Sequence, residues 1–218
     1  MTAVTKETEH SAKRVRIYLK MTLLSDAIFG NGMSVPGEED ISVLTDQQGF
    51  PYYKGSTFKG VFREEAGRYI VWNKQFQDLN LTELFGEGRP GADSAGREER
   101  KLVFSDFVLS PHVREVILSE IGDNPAVVLE SLSNMRAFTR ISEDGTAAKG
   151  SLRFARCINQ GLVFYGAITC SEKDIGFIEE ILPLVKWIGT LRNRGFGNVR
   201  VEVERDKAKT SAGMGGEA

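Results

Sequence analysis

Val15, Ile17, Leu19, Met21 and Leu23 alternate with Arg14, Arg16, Tyr18, Lys20 and Thr22. Successive side chains of a strand point to opposite faces, so this stretch predicts a half-buried strand with one apolar and one basic-aromatic face. A different period follows. Phe58, Phe62, Ala66 and Tyr69 recur at helical spacing and predict a helix over about 56–72, with Ser56 or Thr57 as its N-cap. The intervening residues 27–55 read as a loop, punctuated by Gly30, Gly32, Pro36, Gly37, Gly49 and Pro51. Residues 81–86 form a short turn, 86–100 a glycine-rich, charged, mobile loop, 101–109 a second strand and 113–121 a short helix.

Within an insertion spanning 124–150, residues 134–150 are polar and basic and predict a hairpin that projects from the body. Strands over 151–158 and 162–170 bracket a turn at Asn159-Gln160-Gly161. Ser171-Glu172-Lys173-Asp174 is a variant capping box. It opens a helix that turns Ile175, Ile178, Leu182 and Val185 inward and is interrupted at Pro183. Val199, Val201 and Val203 close the chain with a last strand, and 207–218 reads as a disordered tail. The order is β, α, β, then β, α, β with insertions. That predicts an α+β, ferredoxin-like (RRM-like) βαββαβ core in a single domain over 1–206, with an antiparallel sheet and helices on one face. RNA-binding modules often use such a sheet as a platform.

At 218 residues, 41% hydrophobic and 27% charged, the chain suits one globular domain with insertions. Met1–Lys13 is polar and charged rather than signal-like, and no apolar run approaches membrane-spanning length, so a cytoplasmic protein with no membrane partner is expected. Cys157 and Cys170 lack metal-ligand spacing and read as reduced thiols. With only His10 and His112, a His-rich metal site or a Ser-His-Asp triad is poorly supplied.

Net charge is −2, but its distribution matters more than its sum. Residues 54–63 carry a net +3, residues 134–156 +3 and residues 186–200 +4. Each basic run has glycine and aromatic neighbours, a pattern that suits a polyanion. In Leu191-Arg192-Asn193-Arg194-Gly195-Phe196-Gly197, two arginines and two glycines separate a helical run from an alternating strand. Guanidinium presents a planar, permanently charged donor fork that suits phosphate, and glycine allows a tight turn and a close approach. In the predicted helix, Lys59 falls in the first turn, where the macrodipole disfavours a cation, and Arg63 lies one turn beyond on the same face. An anion docked at that N-terminus, with Gly60 letting it come close, accounts for both charges.

These segments resemble the RAMP superfamily of CRISPR systems, and within it the repeated backbone subunit of type III effector complexes. Residues 46–60, Asp46-Gln47-Gln48-Gly49-Phe50-Pro51-Tyr52-Tyr53-Lys54-Gly55-Ser56-Thr57-Phe58-Lys59-Gly60, resemble the family's first motif. Leu84-Phe85-Gly86 followed by Leu102-Val103-Phe104-Ser105-Asp106 is similar to its central motif. Thr139-Arg140-Ile141 and Gly150-Ser151-Leu152 resemble its thumb hairpin, and Arg194-Gly195-Phe196-Gly197 its C-terminal glycine-rich loop.

The resemblance implies a subunit that binds guide RNA (crRNA) and complementary target RNA beside other effector subunits and copies of itself. The expected RNA-binding residues are Lys54, Ser56, Thr57, Lys59, Arg63, Arg136, Arg140, Arg192, Arg194, Gly195, Phe196 and Gly197. It also implies target cleavage at a loop aspartate, here Asp40, with a divalent ion (Mg2+ or Mn2+) that is not tightly held. Glu38 and Glu39 stand where the family usually has glycines. Asp46 is assigned to turn structure. Two alternatives stay open: a catalytically silent RNA-binding scaffold, and a repeat-processing RAMP endoribonuclease, for which neither histidine is well placed.

Overall fold

The alternating segment forms β1 (Arg14–Leu23), whose apolar side chains from Ile17 to Leu23 are buried on one face of a sheet. The computed structural model describes residues 13–30, 32–33, 40–86 and 102–205. The glycine-rich loop expected over 86–100, the tail over 207–218, and His10, Glu38 and Glu39 lie outside them, apart from Gly86.

Leu19 and Met21 face Gly166 and Phe164 of β6 (Val163–Ser171), antiparallel, and β7 (Val199–Val203) pairs along the other edge of β1. Beyond β6 stand two short strands, β2 (Val103–Phe104) and β3 (Val108–Leu109), both antiparallel to it. The spatial order β2/β3-β6-β1-β7, with α1 (Gly55–Trp72) and α5 (Ile175–Ile181) as crossovers, is the ferredoxin-like arrangement expected. Phe58, Phe62 and Ala66 of α1 are buried, with Phe58 4.6 Å from Phe107 and 5.9 Å from Phe104 between ring centroids. Phe177, Ile178 and Ile181 of α5 are buried as well.

An insertion between β3 and β6 holds α3 (Pro111–Ile121), α4 (Pro125–Leu132) and a separate antiparallel hairpin of β4 (Ser133–Phe138) with β5 (Arg153–Ile158). Ser110 and Asn124 cap the two helices with their side chains, each followed by a proline at the first helical position. The short helix α2 (Leu81–Phe85) is capped by Asn80.

Several sequence expectations need correcting. The residues 151–158 and 162–170 are not hairpin partners, because β5 pairs with β4, Ser133 opposite Ile158 and Phe138 opposite Arg153. Local alternation cannot identify a strand's partner. The projecting hairpin therefore has longer arms than expected, and its root is α4, a helix absent from the sequence reading.

The expected strand over 101–109 is broken at Ser105–Phe107. There the Ser105 hydroxyl accepts the Ala167 N–H at 2.8 Å, Asp106 turns to α1 and the Phe107 backbone pairs with Tyr53. Neither Ser56 nor Thr57 caps α1. The helix begins at Gly55, Lys54 is the capping residue without a side-chain bond, and the Gly55 N–H donates to Asp106 Oδ1 at 2.7 Å. Tertiary contact has supplied the cap.

The sequence 27–55 is more than a loop. Ala27, Ile28, Phe29, Val43, Phe50 and Tyr53 are buried, and single bridges tie Gly30 to Val43 and Ile41 to Ala155. The Ser171 box is not a side-chain cap either; a 3-10 turn over 172–174 leads into α5, and the expected break at Pro183 is a second 3-10 turn.

Candidate nucleic-acid interface

The glycine-rich loop ends beside the end of β1, where the Leu24 N–H donates to the Asn198 carbonyl at 2.8 Å. A 3-10 turn, Arg192–Arg194, enters through Leu191 at φ 54° and leaves through Gly195 at φ 86°, both left-handed. Arg192, Arg194 and Gly195 are exposed, Phe196 is half-buried and Gly197 is buried. The close approach that glycine permits here is to the protein itself. A Cβ on Gly197 would lie 1.9 Å from the Ile188 carbonyl oxygen. Phe196 packs edge-on against Phe138 of the hairpin with centroids 5.6 Å apart, and the Arg194 guanidinium sits 5.8 Å from the same Phe138 ring.

Asp26 ties the loop to the hairpin. Its carbonyl accepts the Gly197 N–H at 2.8 Å, and its carboxylate takes Arg136 at 2.9 Å, Asn134 at 3.3 Å and the Gln160 N–H at 3.0 Å. Partial burial pushes the carboxyl pKa up, but the hydrogen bonds from Arg136, Gln160 and Asn134 outweigh it and hold it below the ordinary range. The negative end is thus permanent at neutral pH, and the exposed Arg136 guanidinium is held at the hairpin root.

At its other end the loop reaches the start of α1. The Gly189 N–H meets the Tyr53 hydroxyl at 3.5 Å, and the charge of Arg192 acts on that phenol, whose pKa burial pushes up. Lys54, Ser56 and Thr57 are exposed in the adjoining first turn, Lys59 is half-buried, and Arg63 is exposed one turn further on. Asp106 already takes the first free donor of this helix, so an incoming phosphate would meet the Lys54, Ser56 and Thr57 side chains rather than the Gly55 N–H. Gly60 faces open space. Arg140 stands beyond β4 in the outer part of the hairpin, away from the Asp26 junction.

Asp40 lies along β5. Its N–H donates to the Phe154 carbonyl at 2.8 Å, its Oδ2 accepts the Phe154 N–H at 2.8 Å, and its Oδ1 takes Arg153 at 2.9 Å. The Phe154 N–H, and then Arg153, keep this carboxyl below its usual pKa. It is ionised at neutral pH and a weak proton acceptor. Among the described residues no group of three or more His, Cys, Asp and Glu is placed to hold a metal ion. Each Asp40 oxygen already accepts a hydrogen bond, so among the described residues Asp40 offers a divalent ion no free carboxylate oxygen.

Asp46 does organise a turn, accepting the Gln48 and Phe50 N–H groups at 2.9 and 3.0 Å and pairing with Arg114 at 2.7 Å. The thiols Cys157 and Cys170 are buried, which pushes them up to about 12 and about 11, so neither is a thiolate nucleophile. His112 is exposed at the start of α3.

Asp26, Phe138 and Arg153 had not been singled out from sequence. Their partners come from segments distant in the chain, and no local pattern marks them.

No described helix is long and apolar enough to cross a membrane. No curated protein matches the sequence. Two cryo-EM chains share the fold. One comes from type III-B Cmr-beta bound to cognate target RNA, with 12% identity and a TM-score of 0.64. The other comes from the apo state of type III-B Cmr-beta, with 14% identity and a TM-score of 0.61. Each match covers 88% of this chain and 98% of the other. A sequence model of the RAMP superfamily matches residues 20–200, and with the ferredoxin-like order and thumb-like hairpin in place the chain belongs to that superfamily.

Proposed function

We propose that this RAMP protein is a guide-RNA-binding backbone subunit of a type III CRISPR effector complex, working in the cytoplasm beside other effector subunits and copies of itself. One observation carries the reading. Tyr53–Gly189 at one end of the glycine-rich loop and Phe138–Phe196 at the other join the three basic runs of the sequence around one loop. Lys54, Arg192, Arg194 and Arg136 are exposed along it. Such a strip reads backbone charge and shape, leaving sequence to base pairing between guide and target. The likeness to Cmr-beta chains supports the fold of this reading.

Counterion release tests it. About six phosphate contacts, from Lys54, Lys59, Arg63, Arg140, Arg192 and Arg194, give a log–log salt slope of about −4 on single strands. Lys59→Ala and Arg194→Ala are expected to weaken binding alike across RNA sequences and each to flatten the slope by about 0.7. Salt-independent binding, or unchanged affinity in both variants, overturns the assignment.

A second reading adds target cleavage at Asp40. It is favoured by a carboxylate fixed by backbone at the hairpin and still one-third exposed, at 34%. Any Mg2+ or Mn2+ would arrive with RNA, since magnesium sites commonly combine one or two carboxylates with substrate phosphates. In an assembled complex Asp40→Ala is expected to abolish target cutting without loss of guide binding, and a 2′-deoxy substitution at the scissile nucleotide to block cutting by the unaltered protein. Full cutting by Asp40→Ala leaves the silent scaffold as the function.

A further inference from the structure

Asp40 is held in two ways of very different strength. Its main chain is laddered to β5, through the Asp40 N–H to the Phe154 carbonyl and the Arg156 N–H to the Ile41 carbonyl at 3.1 Å, and its Oδ2 takes the Phe154 N–H. None of these bonds involves the Arg153 side chain. The ion pair with Arg153 is the exposed part: 67% of the Arg153 side chain and 34% of the Asp40 side chain face solvent. Pairs this exposed contribute little and exchange readily.

Arg153 also sits among the other RNA candidates. It opposes Phe138 directly across the hairpin, so the two side chains share a face. Phe138 is the ring that carries Arg194 and meets Phe196. Arg136, two residues earlier on β4, lies on that face too. A guanidinium fork fits a phosphate as well as it fits a carboxylate.

We propose that Arg153 is a positioning residue that exchanges between the Asp40 carboxylate and an RNA phosphate, so that RNA arriving on the hairpin uncovers one oxygen of a carboxylate that the β5 backbone keeps in place. This rests on the RNA-binding reading above. It leaves Asp40 Oδ1 paired with Arg153 in the free protein and open in the bound one. No bond is made or broken besides hydrogen bonds, and Asp40 stays ionised throughout.

Such an exchange predicts that Asp40 opposes RNA binding, since it competes for Arg153. The test is a double-mutant cycle on the full chain, titrated with a single-stranded RNA oligonucleotide: unaltered protein, Asp40→Asn, Arg153→Ala and both together. Asparagine keeps an oxygen for the Phe154 N–H, and thermal melts check that each variant is folded. Asp40→Asn is expected to tighten binding by up to about fivefold, the equivalent of an exposed ion pair released. Arg153→Ala is expected to weaken binding and flatten the salt slope by about 0.7. In the Arg153→Ala background, Asp40→Asn should change affinity less than about twofold. Arg153→Lys, which keeps the charge, should retain the slope. Equal effects of Asp40→Asn in both backgrounds, or weaker binding by folded Asp40→Asn, overturn the exchange while leaving RNA binding standing. No RNA binding by the unaltered chain overturns both.

Discussion

Gly197→Ala is expected to cost about 2–5 kcal/mol of stability and to lower Tm by roughly 5–20 °C. Two effects add. The backbone at Gly197 has φ +77°, a left-handed conformation that strains any residue with a Cβ, and that Cβ would lie 1.9 Å from the Ile188 carbonyl oxygen. The obstacle is main chain in the neighbouring segment, so no side-chain rotation relieves it.

Relief requires the loop to move, and the loop carries Arg194 and packs Phe196 on Phe138. RNA affinity is therefore expected to fall with stability. Gly195→Ala is the control. It also sits at positive φ, +86°, but a Cβ there meets nothing within 4 Å, so only strain of about 1 kcal/mol remains. Calorimetry and RNA titration of the two variants measure the contrast. Equal melting temperatures would show that Gly197 is not the packed position described.

Phe58→Ala carries the other large effect, a loss of about 3–5 kcal/mol. Phe58 is fully buried beneath the first turns of α1, against Phe107, Phe104 and Phe62 at 4.6, 5.9 and 6.2 Å between centroids. Those rings come from a helix and from the broken edge strand, so the cavity is bounded by elements held on separate backbone ladders and cannot collapse easily. Val71→Ala, at the far end of the same helix and 71% exposed, is expected to stay within about 0.5 kcal/mol of the unaltered protein. Denaturant melts distinguish them, and a Phe58→Ala loss below about 1 kcal/mol would mean that this cluster is not the centre of the core.

These two positions also show how unevenly structure was legible. Phe58 could be read from sequence because burial in a helix repeats every three to four residues, and Phe58, Phe62 and Ala66 obey that period. The same applies to β1, whose alternation survived as two faces of the sheet, and to the break at Pro183. The sequence marks Gly197 as a place of close approach but not what approaches: it is the Ile188 carbonyl, nine residues earlier.

The hairpin taught the same lesson. The strand over 153–158 was legible, while its partnership with 133–138 was not. Pairing depends on register across a long connection, and α4 between Asn124 and Ser133 delivers the partner. The cap of α1 depended likewise on Asp106, 51 residues away.

What the sequence alone determined is the part set by local physics: strand and helix periods, turn chemistry at Asp46, the βαββαβ order and the three basic runs. Each follows from neighbours within a few residues, where side-chain direction is dictated by backbone period. What only the tertiary structure decided is what each charged group meets. Asp26 with Arg136, Arg153 with Asp40 and Arg194 with Phe138 join segments that lie far apart in the chain. Charges have no periodicity to betray their partners. Their positions follow from the packing of the apolar residues beneath them, and that packing is a property of the whole fold.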